Sequence, residues 1–312
     1  MFSEGGLTGS DFVTTSGAMN ALYYCLSAVT KPGDRIAVES PVYFGIHQLI
    51  RDLNLQAIEI PLHPDTGIDL DILEKSLTKI SACCIVSNFS NPMGSLMPLE
   101  NKERLVKMLA DKRIPLIEDD LYGNLYFGSD RPLPCKTFDK DGNVMYISAV
   151  SKTLAPGYRV GWIAPGKYKE EIIKRKRIHT ISTPILYEEV IADFLEHGRY
   201  DHHLKSFRKS LNFNLQKFKN IIEHYFPENT KTSNPKGGFM LWLELDKDVN
   251  TSVLYDQAIE HNISFAPGRM FSQHEQYLNC IRLSFGMQWN EKVQNDLISL
   301  GNLIKSLYPK IN

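Results

Sequence analysis

The sequence predicts an α/β fold: a mainly parallel sheet covered by helices, followed by a smaller α+β C-terminal domain. Three observations predict it. Short apolar runs of strand length alternate with amphipathic stretches of helix length up to Tyr168, the pattern of parallel strands joined by helical crossovers. After Tyr168 helical periodicity takes over, and only two further strand-like runs follow. The chain has 312 residues, of which 43% are hydrophobic and 23% charged, enough for one large globular domain and a smaller one. The boundary is placed at residues 1–200 and 201–312.

The elements follow in order. Phe12 to Thr15 is β-branched and short, and reads as a strand. Ala18 to Val29 is a helix closed by Lys31-Pro32-Gly33-Asp34, whose Pro-Gly pair stops it. Arg35 to Glu39 is a strand and Tyr43 to Leu53 a helix. Gln56 to Ile60, Ala82 to Ser87, Pro115 to Asp119 and Asn143 to Ala149 are further strands, with a helix from Leu99 to Asp111 between two of them. Lys169 to Thr180, Ile185 to His197 and Tyr200 to Tyr225 carry helical spacing. Gly238 to Leu245 is a strand, Thr251 to His261 a helix, Cys280 to Phe285 a strand, and Asn290 to Leu307 the last helix.

Composition excludes several classes. The formal net charge is -1 and there is no polybasic tail, so nothing advertises nucleic-acid binding by this chain itself. The run Lys174-Arg175-Lys176-Arg177 reads as a solvated helix face. The five cysteines, Cys25, Cys83, Cys84, Cys135 and Cys280, are odd in number and fit neither a zinc site nor a disulfide framework. Cys83 and Cys84 lie in an apolar run and read as buried thiols in a reducing compartment. The nine histidines form no metal-ligand pattern, and His202-His203 in a polar helix is expected to be exposed. No signal peptide or membrane-length apolar run is present. The expected location is the cytoplasm.

The segment that carries most chemistry is Ser148-Ala149-Val150-Ser151-Lys152-Thr153-Leu154-Ala155-Pro156-Gly157-Tyr158-Arg159. A strand ends in a small-residue turn bearing one lysine, and an arginine follows before a second apolar run. Desolvation on such a turn lowers an amine's pKa and frees it to attack a carbonyl. The planar donor fork of an arginine suits a phosphate. Amine and phosphate clamp together suggest pyridoxal 5'-phosphate held as a Schiff base. Alone, the segment reads equally as a loop lysine beside a structural arginine.

Four further segments converge with it. Thr14-Thr15-Ser16-Gly17-Ala18-Met19 runs from a strand through a glycine turn into a helix start, where free N–H groups suit an anion. Tyr43 follows a strand, where an aromatic can cover a planar ligand or simply pack in the core. Asn91, in Ser87-Asn88-Phe89-Ser90-Asn91-Pro92-Met93-Gly94, can donate to a phenolate oxygen, although such a turn needs no function. Asp119, in Ile117-Glu118-Asp119-Asp120-Leu121-Tyr122, ends an apolar strand where open α/β sheets bind ligands. A carboxylate there would keep a pyridine nitrogen protonated. Neighbours on a strand point to opposite faces, so only one of Asp119 and Asp120 can do this.

In order and spacing, these segments resemble the pyridoxal-phosphate-dependent class I/II aminotransferases of fold type I. The lysine segment, and Arg199-Tyr200-Asp201-His202-His203-Leu204 at the start of a long helix, look most like the aminotransferase-like domain of the MocR/GntR branch. The resemblance implies that Lys152 forms the internal aldimine and moves the proton between Cα and C4'. It implies that Asp119 pairs with the pyridine nitrogen and that Tyr122 and Asn91 bond the ring O3'. Tyr43 would stack on the ring, and Arg159 with backbone donors of Gly17, Ala18 and Met19 would hold the phosphate. Arg282 would bind the substrate α-carboxylate, with Asn91 beside the substrate. A structural ion pair from Arg282 to Glu244 is the plainer alternative. Where the family places Ser or Thr three positions before the lysine this sequence has Ala149, so Ser148 or Ser151 would supply the hydroxyl. No metal is expected. Relatives also carry an N-terminal region ahead of the first segment, which is lacking here.

The implied function is transfer of an amino group from an amino acid to a 2-oxo acid, by a homodimer. The alternative is the effector-sensing, cofactor-binding domain of a MocR-type regulator with little turnover.

Overall fold

A computed structural model describes residues 6–308. The chain opens with β1 (Val13–Thr15), α1 (Ala18–Val29), β2 (Arg35–Ser40), α2 (Phe44–Asp52), β3 (Gln56–His63), β4 (Gly67–Ile68) and α3 (Leu70–Ser76). It continues through β5 (Ala82–Ile85), α4 (Leu99–Asp111), β6 (Leu116–Asp119), β7 (Val144–Ala149) and β8 (Gly161–Ala164). Then come α5 (Lys169–His179), α6 (Ile185–Glu196), α7 (Arg199–Tyr225), β9 (Lys231–Thr232), β10 (Met240–Glu244), α8 (Thr251–Glu260), β11 (Ala266–Pro267), β12 (Cys280–Ser284) and α9 (Glu291–Leu307).

The large sheet has eight strands in the order β1-β8-β7-β6-β5-β2-β3-β4. Its centre, β7-β6-β5-β2-β3, is parallel. β1, β8 and β4 are antiparallel additions at the two edges. β5, β6 and β7 are buried along their whole length; β5 and β7 read as mostly apolar runs without alternation, while β6 ends in the buried acids Glu118 and Asp119. The carboxyl ends of the parallel strands open onto one edge of the sheet, and the turns after β5, β6 and β7 all leave from it. The second sheet is antiparallel, β11-β12-β10-β9, as expected of a smaller α+β unit.

The principal helices lie where their periodicity placed them, within a residue or two. Four small elements escaped sequence reading: β4, α3, β9 and β11. Each is too short to display a period. α3 carries a cap signal, since Asp69 accepts from the N–H groups of Asp71 and Ile72. Asn250 and Asn290 cap α8 and α9 in the same way.

α7 is the element that ties the molecule together. It runs unbroken for 27 residues from Arg199, just after Gly198. Its first turn packs beneath the large sheet's loops. Further along, Asn214 donates to the carbonyls of Phe285 (2.9 Å) and Met287 (2.7 Å), just past β12.

Two expectations of exposure need correction. His203 is half-buried, with its Nε2 at 2.8 Å from the carbonyl oxygen of Thr153. The basic run of α5 is only partly solvated: Lys176 turns inward and donates to Thr14 Oγ1 (2.9 Å), because that helix packs against the edge strand β1.

Candidate active site

The turns after β5, β6 and β7, the start of α1 and the start of α2 enclose one cavity of about 180 Å³, small beside the roughly 300–1,000 Å³ of drug-sized clefts. Lys152, Asp119, Tyr122, Asn91, Tyr43 and Arg159 line it, with Ala18, Met19 and Ser151. Leu22, Ile46, Val86 and Leu121 form an apolar wall that sequence reading did not single out. Their signal was the position of Val86 and Leu121 just beyond buried parallel strands.

Asp119 ends β6 and is buried. It accepts one bond, from the N–H of Leu121 (3.2 Å). Burial pushes its carboxyl up to about 7, against that bond; Asp120 and Glu118 also oppose ionisation, and Lys152 favours it. Asp120 faces elsewhere. It pairs with Arg131 and accepts from Tyr146 (3.0 Å) and Asn88 (2.9 Å). Strand alternation thus gives one acid to the cavity and the other to a closed polar network.

Lys152 lies on the turn after β7 and is half-buried. Burial lowers its pKa, as do the positive charges of Arg282 and Arg159, while Asp119 acts the other way. Ser151 carries a buried hydroxyl with no partner. Ser148 does not reach the cavity: its hydroxyl donates to the carbonyl of Asp120 (3.2 Å). Of the two candidate residues, Ser151 is the one that lines the cavity, with its hydroxyl buried.

Gly17 forms the cap of α1 with φ of 88°. A Cβ there would fall 2.6 Å from a guanidinium nitrogen of Arg159. Arg159 itself donates to the carbonyl of Ser16 (3.1 Å). An arginine thus lies against a helix start whose first N–H groups have no intrahelical acceptor, an arrangement that suits a phosphate or carboxylate.

Arg282, on β12, does not line this cavity; it lines a separate one in the small sheet and meets the site through Asn91. It donates to Asn91 Oδ1 (3.0 Å), and its guanidinium lies 5.2 Å from the centroid of the Phe271 ring. Its Nε is buried without a partner. Burial lowers its pKa, partly offset by Tyr122 and Tyr43. Glu244 does not serve it: that acid pairs with Lys231 at 3.1 Å, two residues along the strand from Trp242, which faces Arg282. Tyr122 is buried, which raises its hydroxyl pKa, and Asn91 bonds it.

The family model for aminotransferase class I and II matches residues 7–294. The chain belongs to the class I and II aminotransferase family. Among its relatives is the HTH-type transcriptional regulator YdcR of Escherichia coli K12, 36% identical over 96% of this chain. The chain spans 64% of that relative's length. Aromatic-amino-acid aminotransferase 1 of Thermococcus litoralis is 29% identical, covering 95% of this chain and 72% of its own. In three dimensions the chain matches LysN, the α-aminoadipate aminotransferase of Thermus thermophilus, complexed with N-(5'-phosphopyridoxyl)-L-leucine. That match has a TM-score of 0.93 and 26% identity, over 99% of this chain and 81% of LysN.

The environment of Asp119 predicts a pH signature. In the ligand-free protein the folded state holds a proton at Asp119 that the unfolded chain, near 3.8, has released. The stability this proton confers is complete below about pH 4 and is lost as pH rises through about 7. Asp119→Asn has no such group, so it gains stability relative to wild type across that interval. Urea denaturation at about pH 5 and about pH 8 reads the difference; parallel pH slopes in the two proteins would contradict it.

Proposed function

We propose that the chain binds pyridoxal 5'-phosphate and transfers an amino group from an amino acid to a 2-oxo acid. One observation carries this: a depressed lysine amine and a buried carboxyl lacking a salt-bridge partner among the described residues share one small cavity. The unsatisfied groups fit the cofactor. Asp119 lacks the cation that a protonated pyridine nitrogen would be, and Ser151 and the Arg159–Gly17 corner offer donors to a phosphate. Tyr43 lies where a ring face would be covered, and Tyr122 and Asn91 can bond the ring hydroxyl. LysN, whose fold this chain shares, holds a phosphopyridoxyl amino acid.

When bound, the cofactor supplies an electron sink for the pair left on the substrate Cα. Lys152 would hold the cofactor's carbonyl carbon, and its amine, when free, would act on the substrate. The freed amine then takes the Cα proton and returns it on the other side of the transfer. Burial and the two nearby arginines keep that amine closer to neutral pH than an ordinary lysine, as a general base requires. Asp119 keeps a proton on the ring nitrogen. Arg282 binds the substrate carboxylate through its free Nε, on a unit that we divide from the large domain near residue 200.

A second reading is favoured by YdcR and by YjiR, also of Escherichia coli K12 and 36% identical, both regulators by name. On it, the chain senses an amino-group ligand through the same site with little turnover. Steady turnover of an amino acid with a 2-oxo acid acceptor supports the enzyme. Binding and spectral change without turnover support the sensor.

The location we propose is the cytoplasm; the free cysteines are all buried, and no described helix is long and apolar enough to cross a membrane. We further propose a homodimer. α6 and the segment before it expose Ile181 (82%), Leu186 (71%), Ile185, Tyr187 and Val190, a patch that continues to Tyr158 beside the Lys152 turn.

Three outcomes test these assignments. Incubation with the cofactor, borohydride reduction and peptide mapping should place the label on Lys152; label elsewhere removes its role. Arg282→Ala should leave cofactor uptake intact and weaken the response to an amino acid by about 2–5 kcal/mol, with its decarboxylated amine far less affected. Equal losses for both ligands would leave Arg282 structural. Sedimentation should show a dimer that Ile181→Asp weakens; a monomer at high concentration would oppose it.

A further inference from the structure

The turn that carries Lys152 is gripped from outside the cavity. Thr153 is buried, and both of its polar oxygen atoms are engaged by the opening turns of α7. The Tyr200 hydroxyl donates to Thr153 Oγ1 at 2.7 Å. His203 Nε2 lies 2.8 Å from Thr153 O. A carbonyl oxygen only accepts, so His203 carries its proton on Nε2. The imidazole is stacked on Phe207, with ring centroids 5.7 Å apart, which fixes its plane.

The grip extends to the other side of the site. Asn124 donates to the Tyr200 hydroxyl at 3.5 Å and accepts from Arg131 Nε at 2.7 Å. Arg131 pairs with Asp120, the neighbour of Asp119. Midway along, Asn214 of α7 holds the carbonyls of Phe285 and Met287, next to the strand of Arg282. One helix therefore touches the lysine turn, the network behind Asp119 and the strand of the arginine.

We propose that Tyr200 and His203 are positioning residues that fix the Lys152 turn through Thr153 and so hold the amine at the cavity wall. The proposal rests on the reading of Lys152 as the reactive amine. A lysine side chain has large rotamer freedom and gains hydration by swinging outward. The turn's own bonds run only to Val150, from the N–H groups of Thr153 (3.3 Å) and Leu154 (2.8 Å). The contacts from α7 keep the backbone from yielding. The titratable groups around the amine are Asp119, Arg159 and Arg282, with Tyr43 and Tyr122 on the cavity wall. Its environment is set by its distance to these.

The test uses the full chain without cofactor. Lysines are labelled with limiting acetic anhydride across a pH series, and peptide mapping compares Lys152 with the exposed Lys31 in the same sample. In wild type the Lys152 midpoint lies below the ordinary lysine range, because burial and the nearby arginines lower it. His203→Leu and Thr153→Val should raise the midpoint, and each unit of rise slows labelling near neutral pH about tenfold. His203→Gln, whose amide still donates, should keep the wild-type midpoint. The proposal is overturned if Lys152 keeps its midpoint in folded His203→Leu, Thr153→Val and Tyr200→Phe. It is also overturned if His203→Gln behaves as His203→Leu, because packing and not the donated bond then matters. Should His203→Leu fail to fold, Tyr200→Phe, which loses one hydroxyl, carries the comparison. The labelling midpoint needs no cofactor, so it is read independently of where borohydride fixes the cofactor.

Discussion

A carboxyl buried without a fixed cation is the constraint around which this site is built. Desolvation of an ionised carboxylate costs several kcal/mol unless something compensates it. Asp119 stands at the end of a fully buried strand with one backbone N–H, and the nearby cation acting on it is Lys152, across the same cavity. Its neighbour Asp120 is compensated completely, by Arg131, Tyr146 and Asn88. The contrast between adjacent acids is informative. The same turn that neutralises Asp120 so thoroughly leaves Asp119 with one backbone bond and a raised pKa. Lys102 shows the same pattern of satisfied burial: it is fully buried and donates to Asn88 Oδ1 (2.6 Å) and the carbonyl of Leu133 (2.7 Å), which anchors the network from behind.

Parallel topology explains why chemistry from distant parts of the chain meets here. All the parallel strands deliver their turns to one edge, so residues 43, 91, 119 and 152 become neighbours although more than a hundred positions separate the first from the last. Arg282 is the exception. It arrives on a separate antiparallel sheet, and its placement depends on α7 and on its bond to Asn91. Arg159, against the start of α1, and Arg282, on β12, thus come from different sheets. The shared helix sets the distance between them.

Much of this was legible from sequence. The alternation of apolar runs with amphipathic stretches specifies a helix-covered parallel sheet, because burial on both faces demands strands that are apolar throughout. Long helices such as α4 and α7 repeat their period often enough to be bounded within a residue or two. The residue types in the Asp119 and Lys152 turns carry their chemistry wherever they stand. Two-residue strands such as β9 and β11 have no period to read, and they exist because a longer neighbour offers them a ladder.

Which way a side chain faces was decided only by tertiary structure. Sequence alone named Ser148 and Ser151 together, yet Ser148 is engaged by the carbonyl of Asp120 while Ser151 lines the cavity with its hydroxyl buried and unpaired among the described residues. It left Arg282 between a substrate and Glu244; packing gave that acid to Lys231 and left the guanidinium Nε unsatisfied. It placed His203 in solvent, where a polar helix normally puts its histidines, and the fold brought it to the carbonyl beside Lys152. Local pattern determines elements because periodicity and capping act over a few residues. Partnership between polar groups is determined by contacts 13 to 191 positions apart here, and those exist only once the sheet order and the course of α7 are set.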